Sequence, residues 1–347
     1  MCKPIFILLV IVCAWNNVIA QDTTLVVAEN QEAEIAFNKG NSLYQAGDYN
    51  GAIAAFTEAL TFNQTFEKAI INRASAYSKL NNFVQAIVDF ELAIKINPTN
   101  NLAWYGKGIA HYSRAQKSEA ENSFQQAIYN GLKNDNVYYY AGVVAFENGE
   151  LEKALENYTQ AINYNPKNAL AFNDRGSVKR SMQKYTEAIE DYKAAIKIDP
   201  KMGIVYNNIG SAKWKSGDLD AALLDYGVAI RLDPTYFIAL NNRASVRFEM
   251  KDFEGAIIDC EKAISINPDY AYAYNNMGNA KAKLKNYAGA EKDYTKAIQL
   301  NTNFAIAYLN RGICRERLRN FEGAVDDWEM AKVLGISKAE SYIKFYD

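Results

Sequence analysis

Apolar residues recur along most of this chain at i, i+3, i+4 and i+7, in blocks of roughly 14 residues parted by short polar turns. The blocks come in pairs. Laid in 34-residue frames from Ala33, the chain puts Ala in the twentieth slot nine times, from Ala52 to Ala324, and again seven residues later, from Ala59 to Ala331. The eighth slot holds only Gly or Ala, from Gly40 to Gly312. Between the two alanines stands a ring (Phe56, Phe90, Phe124, Tyr158, Tyr192, Tyr226, Tyr294 or Trp328), with Cys260 the exception. Small residues facing large ones predict close helix approach, because Gly accepts its propensity cost only where a neighbour enters the space of its missing side chain.

Each frame therefore predicts two amphipathic helices about 21 Å long. Turn signals such as Ala46-Gly47-Asp48 and Ser216-Gly217-Asp218 divide them, and Asn-Pro or Asp-Pro closes the frame at prolines 98, 166, 200, 234 and 268. Leu132 and Ile336 replace that proline in the third and ninth frames, where Gly131 and Gly335 are expected to end the helix. Gln64 and Thr302 stand there in the first and eighth.

The small–large–small pattern is whole in AYNNMGNAKAKLKNYAGAEKDYTKAIQLNTN, and an aromatic stands near the frame's start at Trp104, Tyr138, Phe172, Tyr206, Tyr274 and Tyr308. In these features the chain resembles the tetratricopeptide repeat family across nine frames, 33–66, 67–100, 101–134, 135–168, 169–202, 203–236, 237–270, 271–304 and 305–338. The resemblance implies an all-α, right-handed solenoid of nine helix-turn-helix repeats. A stack of this kind needs its open end covered. Within residues 337–347, a helix from Ser337 to Tyr346, capped by Ser337 and carrying Ala339, Tyr342, Ile343 and Tyr346 on one side, meets that need. Residues 21–32 show no periodicity and read as a tail.

Composition narrows the field without naming a function: 49% hydrophobic, 22% charged and a formal charge of −2 fit a globular chain and argue against a strongly basic nucleic-acid binder. The opening MCKPIFILLVIVCAWNNVIAQ has a cation at Lys3, an apolar run from Ile5 to Trp15 and a Val18-Ile19-Ala20 end, which predicts a signal peptide over residues 1–20 cut after Ala20, and an exported protein, periplasmic or secreted. The run is shorter than the roughly 20 residues of a membrane span. Val12 is too large for a lipoprotein cut at Cys13. Cleavage leaves Cys260 and Cys314, which fall in different frames, too far apart to pair, and read as buried apolar residues.

Chemistry is sparse. The one histidine, His111, sits in a slot held by Leu43, Tyr77 or Ala145 elsewhere and reads as packing. No cluster has metal spacing, no Gly-rich phosphate loop follows a strand, and no Ser or Cys comes with a histidine base, so neither enzyme activity, cofactor nor metal is expected.

Two columns remain. The eleventh slot of frames five to nine holds Lys179, Lys213, Arg247, Lys281 and Arg315, and twelve residues later the same frames carry Asp191, Asp225, Asp259, Asp293 and Asp327. Their joint occurrence predicts ion pairs between the two helices of a repeat, in place of an anion-binding track. The fifth and sixth slots hold Asn173, Asn207, Asn208, Asn241, Asn242, Asn275, Asn276 and Asn310, poor helix formers whose cost needs a return. In the family, first helices line the concave face, which implies that these amides bond the backbone of an extended peptide. The alternative is that they bridge neighbouring repeats or face water. Earlier frames put Tyr105 and Tyr139 in the fifth slot, an aromatic stretch of the same groove. The carboxylate-clamp modules of the family need a fifth-slot Lys, and none is present. The expected function is a protein–protein interaction scaffold for a partner's extended segment. The alternatives are a self-associating, homo-oligomeric solenoid in an envelope or secreted assembly and an accessory subunit of an enzyme complex.

Overall fold

The computed structural model describes residues 30–345, and every regular element among them is an α-helix. The expected signal peptide, residues 21–29 of the expected tail, and Tyr346 lie outside the described residues. The chain divides into two compact units, one ending at Pro166 and the other starting at Lys167. The first unit contains α1 (30–45), α2 (Tyr49–Phe62), α3 (Glu67–Lys79), α4 (Phe83–Ile96), α5 (Asn101–Ser113), α6 (Lys117–Tyr129), α7 (Asp135–Glu147) and α8 (Leu151–Tyr164). The second contains α9 (Ala169–Ser181), α10 (Tyr185–Ile198), α11 (Gly203–Lys215), α12 (Leu219–Leu232), α13 (Phe237–Glu249), α14 (Phe253–Ile266), α15 (Ala271–Lys283), α16 (Tyr287–Leu300), α17 (Ala305–Arg317), α18 (Phe321–Val333) and α19 (Ala339–Ile343). Within each unit, consecutive helices pack as antiparallel pairs, and each pair packs on the next.

The periodic small residues do the expected work. A Cβ on Gly176 would lie 2.7 Å from the Tyr192 ring, and one on Gly312 only 2.5 Å from Trp328, so each ring occupies the space that its glycine leaves open. Two repeats carry Ala instead, and both compensate. Ala244 faces Cys260, a side chain small enough to spare the extra methyl. Ala74 faces Phe90, whose ring turns toward the next repeat, where a Cβ on Gly106 would meet it at 2.3 Å.

Helix ends follow from local chemistry. Asn100, Asn134 and Asn168 cap first helices, and Asp48, Asp218 and Asp252 cap second helices, each accepting from a backbone N–H three residues on. Frames one and eight close without proline because Asn63 and Asn301 accept the N–H of Thr65 and Asn303, the turn that Asp199 and Asp233 make before Pro200 and Pro234. Gly131 (φ +90°) and Gly335 (φ +98°) end α6 and α18 in the left-handed region, as the missing prolines imply.

Two boundaries differ from expectation. Helix α1 is already running at Asn30, inside the expected tail, and Ala33 and Ala36 on it are buried. Asn30 also accepts from Asn63, and Gln31 and Glu32 are good helix formers that no proline precedes closely. At the other end α19 spans five residues and begins after Lys338, with no side-chain cap from Ser337. Residues 337–338 instead form a tight turn in which the Ser337 carbonyl accepts the Glu340 N–H. The covering role survives the shortening, since Ala339 is buried and Tyr342 stacks on Trp328 with ring centroids 5.1 Å apart.

Candidate functional site

The cation column is consumed inside the repeats. Lys179, Lys213, Arg247, Lys281 and Arg315 stand 2.9, 2.6, 2.9, 2.8 and 3.1 Å from Asp191, Asp225, Asp259, Asp293 and Asp327. Three of these carboxylates have a second partner that the column reading missed. Arg175, Arg243 and Arg311, in the seventh slot, each grip theirs with two parallel N–H bonds of 2.6 to 2.9 Å, and Arg73 does the same to Asp89 in the first unit. The signal was present as an Arg standing sixteen residues before an Asp in four frames.

Repeats six and eight put Ile209 and Met277 in that seventh slot, so among the described residues Asp225 and Asp293 have only a lysine within 4.0 Å. Burial outweighs the ammonium and raises both carboxyl pKa values above the ordinary 3.8. The folded chain then holds these protons to higher pH than the unfolded chain, so their contribution to stability is lost as pH climbs from about 3.8 through the raised values. Replacing Asp225 and Asp293 by Asn is expected to flatten that part of the stability–pH curve, read from urea midpoints at several pH values; an unchanged slope would refute the assignment.

The asparagine columns form a ladder. Asn208 donates to Asn173 Oδ1 at 3.0 Å, Asn242 to Asn207 Oδ1 at 3.0 Å, and Asn276 to Asn241 Oδ1 at 2.9 Å and to Ser245 Oγ at 3.1 Å. Every rung joins the first helix of one repeat to that of the next. Asn173, Asn207, Asn241, Asn275 and Asn208 are at least nine-tenths buried. Asn173, Asn207, Asn208 and Asn241 are therefore corrected from peptide-binding amides to ties between repeats, and Asn275 to a buried amide that, among the described residues, donates only to its neighbour Asn276, at 3.5 Å. Asn242, Asn276 and Asn310 are half-buried and already donate within the ladder.

The last rung departs. Asn310 donates to Asn279 Oδ1 at 3.0 Å, which also accepts from the Tyr294 hydroxyl at 2.8 Å, while Asn275 Oδ1 is buried with no hydrogen-bond partner among the described residues. Asn279 stands where Ser177, Ser211 and Ser245 stand in repeats five to seven. Asn279→Ser is expected to return Asn310 to Asn275 and raise stability by about 1 kcal/mol, visible as a higher urea midpoint. A lowered midpoint would count against the mismatch.

In the first unit Tyr105 and Tyr139 are half-buried. Tyr105 leans on Phe124 with centroids 6.0 Å apart, and burial raises its pKa to about 12, while Tyr139 packs on Tyr158 at 5.8 Å. They serve packing at least as much as any groove.

What the first helices of the second unit leave open is different. On α9, α11, α13, α15 and α17, the second, fifth, ninth and twelfth slots share one face. Its second slots carry Leu170, Ile204, Ile238, Tyr272 and Ile306, all exposed, with Leu170, Ile204 and Tyr272 about half so. Further along the face, Trp214, Ser245, Phe248 and Asn276 border a cavity of about 250 Å³. An adjoining cavity of about 600 Å³ shares Phe248 and Asn279 with it and reaches Asn310 and Ile313.

Reactive groups are few among the described residues. His111 is buried with Nδ1 3.0 Å from Gln116 Oε1. Cys260 and Cys314 are free and buried, and burial pushes their thiols to about 12 and about 11, so neither is an activated nucleophile near neutral pH. No cluster of three metal-binding side chains occurs, and no helix is long and apolar enough to cross a membrane, among the described residues.

Models of the tetratricopeptide repeat match residues 33–66, 67–100, 204–236, 237–270 and 271–304, and a further TPR repeat model matches 142–179 and 176–217. The chain belongs to the tetratricopeptide repeat family. Repeats three and nine, which those models do not match, carry the same helix pairs, α5–α6 and α17–α18. A comparison with curated proteins finds no match. Among solved structures, the chain is similar to a tetratricopeptide repeat protein from Parabacteroides merdae at 21% identity, covering 73% of this chain and 99% of that one with a TM-score of 0.60. It is also similar to YrrB, a TPR protein with an unusual peptide-binding site, at 24% identity over 54% of this chain and 96% of that one with a TM-score of 0.51. The APC/C hetero-tetramer Cut9–Hcn1 gives 14% identity, 90% and 75% coverage and a TM-score of 0.59. At these identities the likeness establishes the fold. A tetratricopeptide fold is in general a protein-interaction scaffold without catalysis.

Proposed function

We propose that this chain is a non-enzymatic scaffold whose second unit holds an extended segment of a partner protein along its first-helix face. The observation that carries the reading is the row of exposed apolar side chains from Leu170 to Ile306 alongside two adjoining cavities on that face. The peptide-binding site of YrrB, in a protein of the same fold, supports it. The triple replacement Ile204→Ser, Ile238→Ser, Phe248→Ala is expected to abolish partner capture from an envelope extract while leaving the helical circular dichroism unchanged. Capture that survives the triple replacement would sink the reading.

A second reading is self-association through the second helices, favoured by Leu224 and Ile258, which are 73% and 50% exposed on α12 and α14. Sedimentation equilibrium of Leu224→Ser, Ile258→Ser against the parent chain tests it, a lower mass for the variant being the supporting result. We further propose that the chain works outside the cytoplasm, for which the apolar run Ile5 to Trp15 behind Lys3 is the support. N-terminal sequencing of protein from the native cell should then start at Gln21, and an intact Met1 would refute it.

A further inference from the structure

We propose that the larger cavity of the second unit binds an acidic peptide segment, taking an apolar side chain on its floor and an adjacent carboxylate at its rim. The inference rests on the groove reading above and names the chemistry of its ligand.

The cavity of about 600 Å³ lies among α15, α17 and the end of α13, with Phe248 and Ile313 in its apolar floor. Its rim holds Lys283, Lys285 and Arg317, and no carboxylate lines it. The cations in the seventh and eleventh slots of the second unit's first helices are treated differently, whereas Arg180 and Lys215, like the rim cations, have no carboxylate within 4.0 Å among the described residues. Lys179, Lys213, Arg247, Lys281 and Arg315, and the seventh-slot arginines, each have an aspartate within 3.1 Å. Lys283, Lys285 and Arg317 have no carboxylate within 4.0 Å among the described residues. Three unneutralised cations over an apolar floor create a positive potential in a partly enclosed, low-dielectric space, where attraction for an anion is stronger than on open surface.

A second observation falls at the same place. Asn279 and Asn310 line this cavity, and they are the pair at which the amide ladder leaves its course and strands the buried Asn275 Oδ1. Elsewhere in the unit the ladder is satisfied. The polar wall of the cavity is thus the one rung whose hydrogen bonds are unbalanced, a feature that packing between repeats does not call for.

A peptide carboxylate fits better than a nucleic-acid phosphate. The floor takes an aliphatic or aromatic side chain, and the basic rim belongs to one cavity, the neighbouring space being bordered, among the described residues, by Glu249 and by no cation. The sites differ from those of the family's carboxylate clamp, because these cations lie at the thirteenth and fifteenth slots and the fifth slot holds no Lys.

The test uses the full mature chain and a fluorescein-labelled decapeptide of alternating Glu and Leu, with a Gln-for-Glu copy and a labelled single-stranded oligonucleotide, read by anisotropy. The acidic peptide is expected to bind about tenfold tighter than the Gln copy and to weaken with added salt. Lys283→Gln, Lys285→Gln, Arg317→Gln together should remove that tenfold preference, and Arg317→Gln alone should reduce it, with unchanged circular dichroism in both. Equal binding of the two peptides, weakened by Phe248→Ala, overturns the acidic preference and leaves the groove reading standing. Binding of neither peptide overturns both. An oligonucleotide that binds more tightly than the acidic peptide, and loses affinity in the triple variant, overturns the peptide assignment in favour of nucleic acid.

Discussion

Asp259→Ala is expected to cost about 3 to 5 kcal/mol, read as a lower urea midpoint with the same slope. Asp259 is fully buried, with Arg243 holding both its oxygens and Arg247 adding a third contact at 2.9 Å. Removing the carboxylate leaves two partly buried guanidinium groups facing each other without an anion between them, and their repulsion adds to the lost bonds. The same change at Asp225 is expected to cost less. Lys213 there is a single cation on a flexible stem, a quarter exposed, and it turns outward to water once the carboxylate is gone. A loss below about 1 kcal/mol at Asp259 would show that the pair of arginines relaxes freely and that the network does not fix the repeat.

Trp328→Ala is expected to cost about 3 to 5 kcal/mol and to act locally. Its indole is fully buried, fills the space above Gly312 and carries Tyr342 of α19 on its outer face. A repeat inside a stack can lean on a full repeat at both sides, whereas the ninth has the α15–α16 pair on one side and only the short α19 on the other. Hydrogen exchange should therefore show protection falling across 305–345 while the amides of α11 to α14 keep theirs. Uniform loss of protection through the whole second unit would instead mean that it unfolds as one cooperative block.

The helix pairs were legible because the residues that build them repeat. Ala at two slots and Gly or Ala at a third carry one instruction nine times, and the joint columns of cation and Asp announce a contact before any coordinate is known. The first-helix start and the shortened α19 were not legible, since at the two ends no neighbouring repeat imposes the pattern. The Asn columns were visible as columns, but an amide offers donor and acceptor alike, so spacing alone does not decide between a ligand and the next repeat. Burial decides it. The cavity was hidden for the opposite reason: the twelfth slot runs Arg180, Trp214, Phe248, Ala282, Glu316, and a search for sameness passes over the positions where a binding face differs from repeat to repeat.

The alternation of Arg-reinforced repeats five, seven and nine with lysine-only repeats six and eight gives the second unit a longer beat of two repeats. Excising residues 237–304 removes one full beat, sets an Arg-reinforced repeat beside a lysine-only one as before, and brings Asn310 opposite Asn207 and Ser211, where a regular rung can form. Excising 271–304 alone sets two Arg-reinforced repeats side by side, a neighbourhood found nowhere in the second unit of the present chain. Anyone shortening or lengthening this protein as a modular building material should cut it in twos.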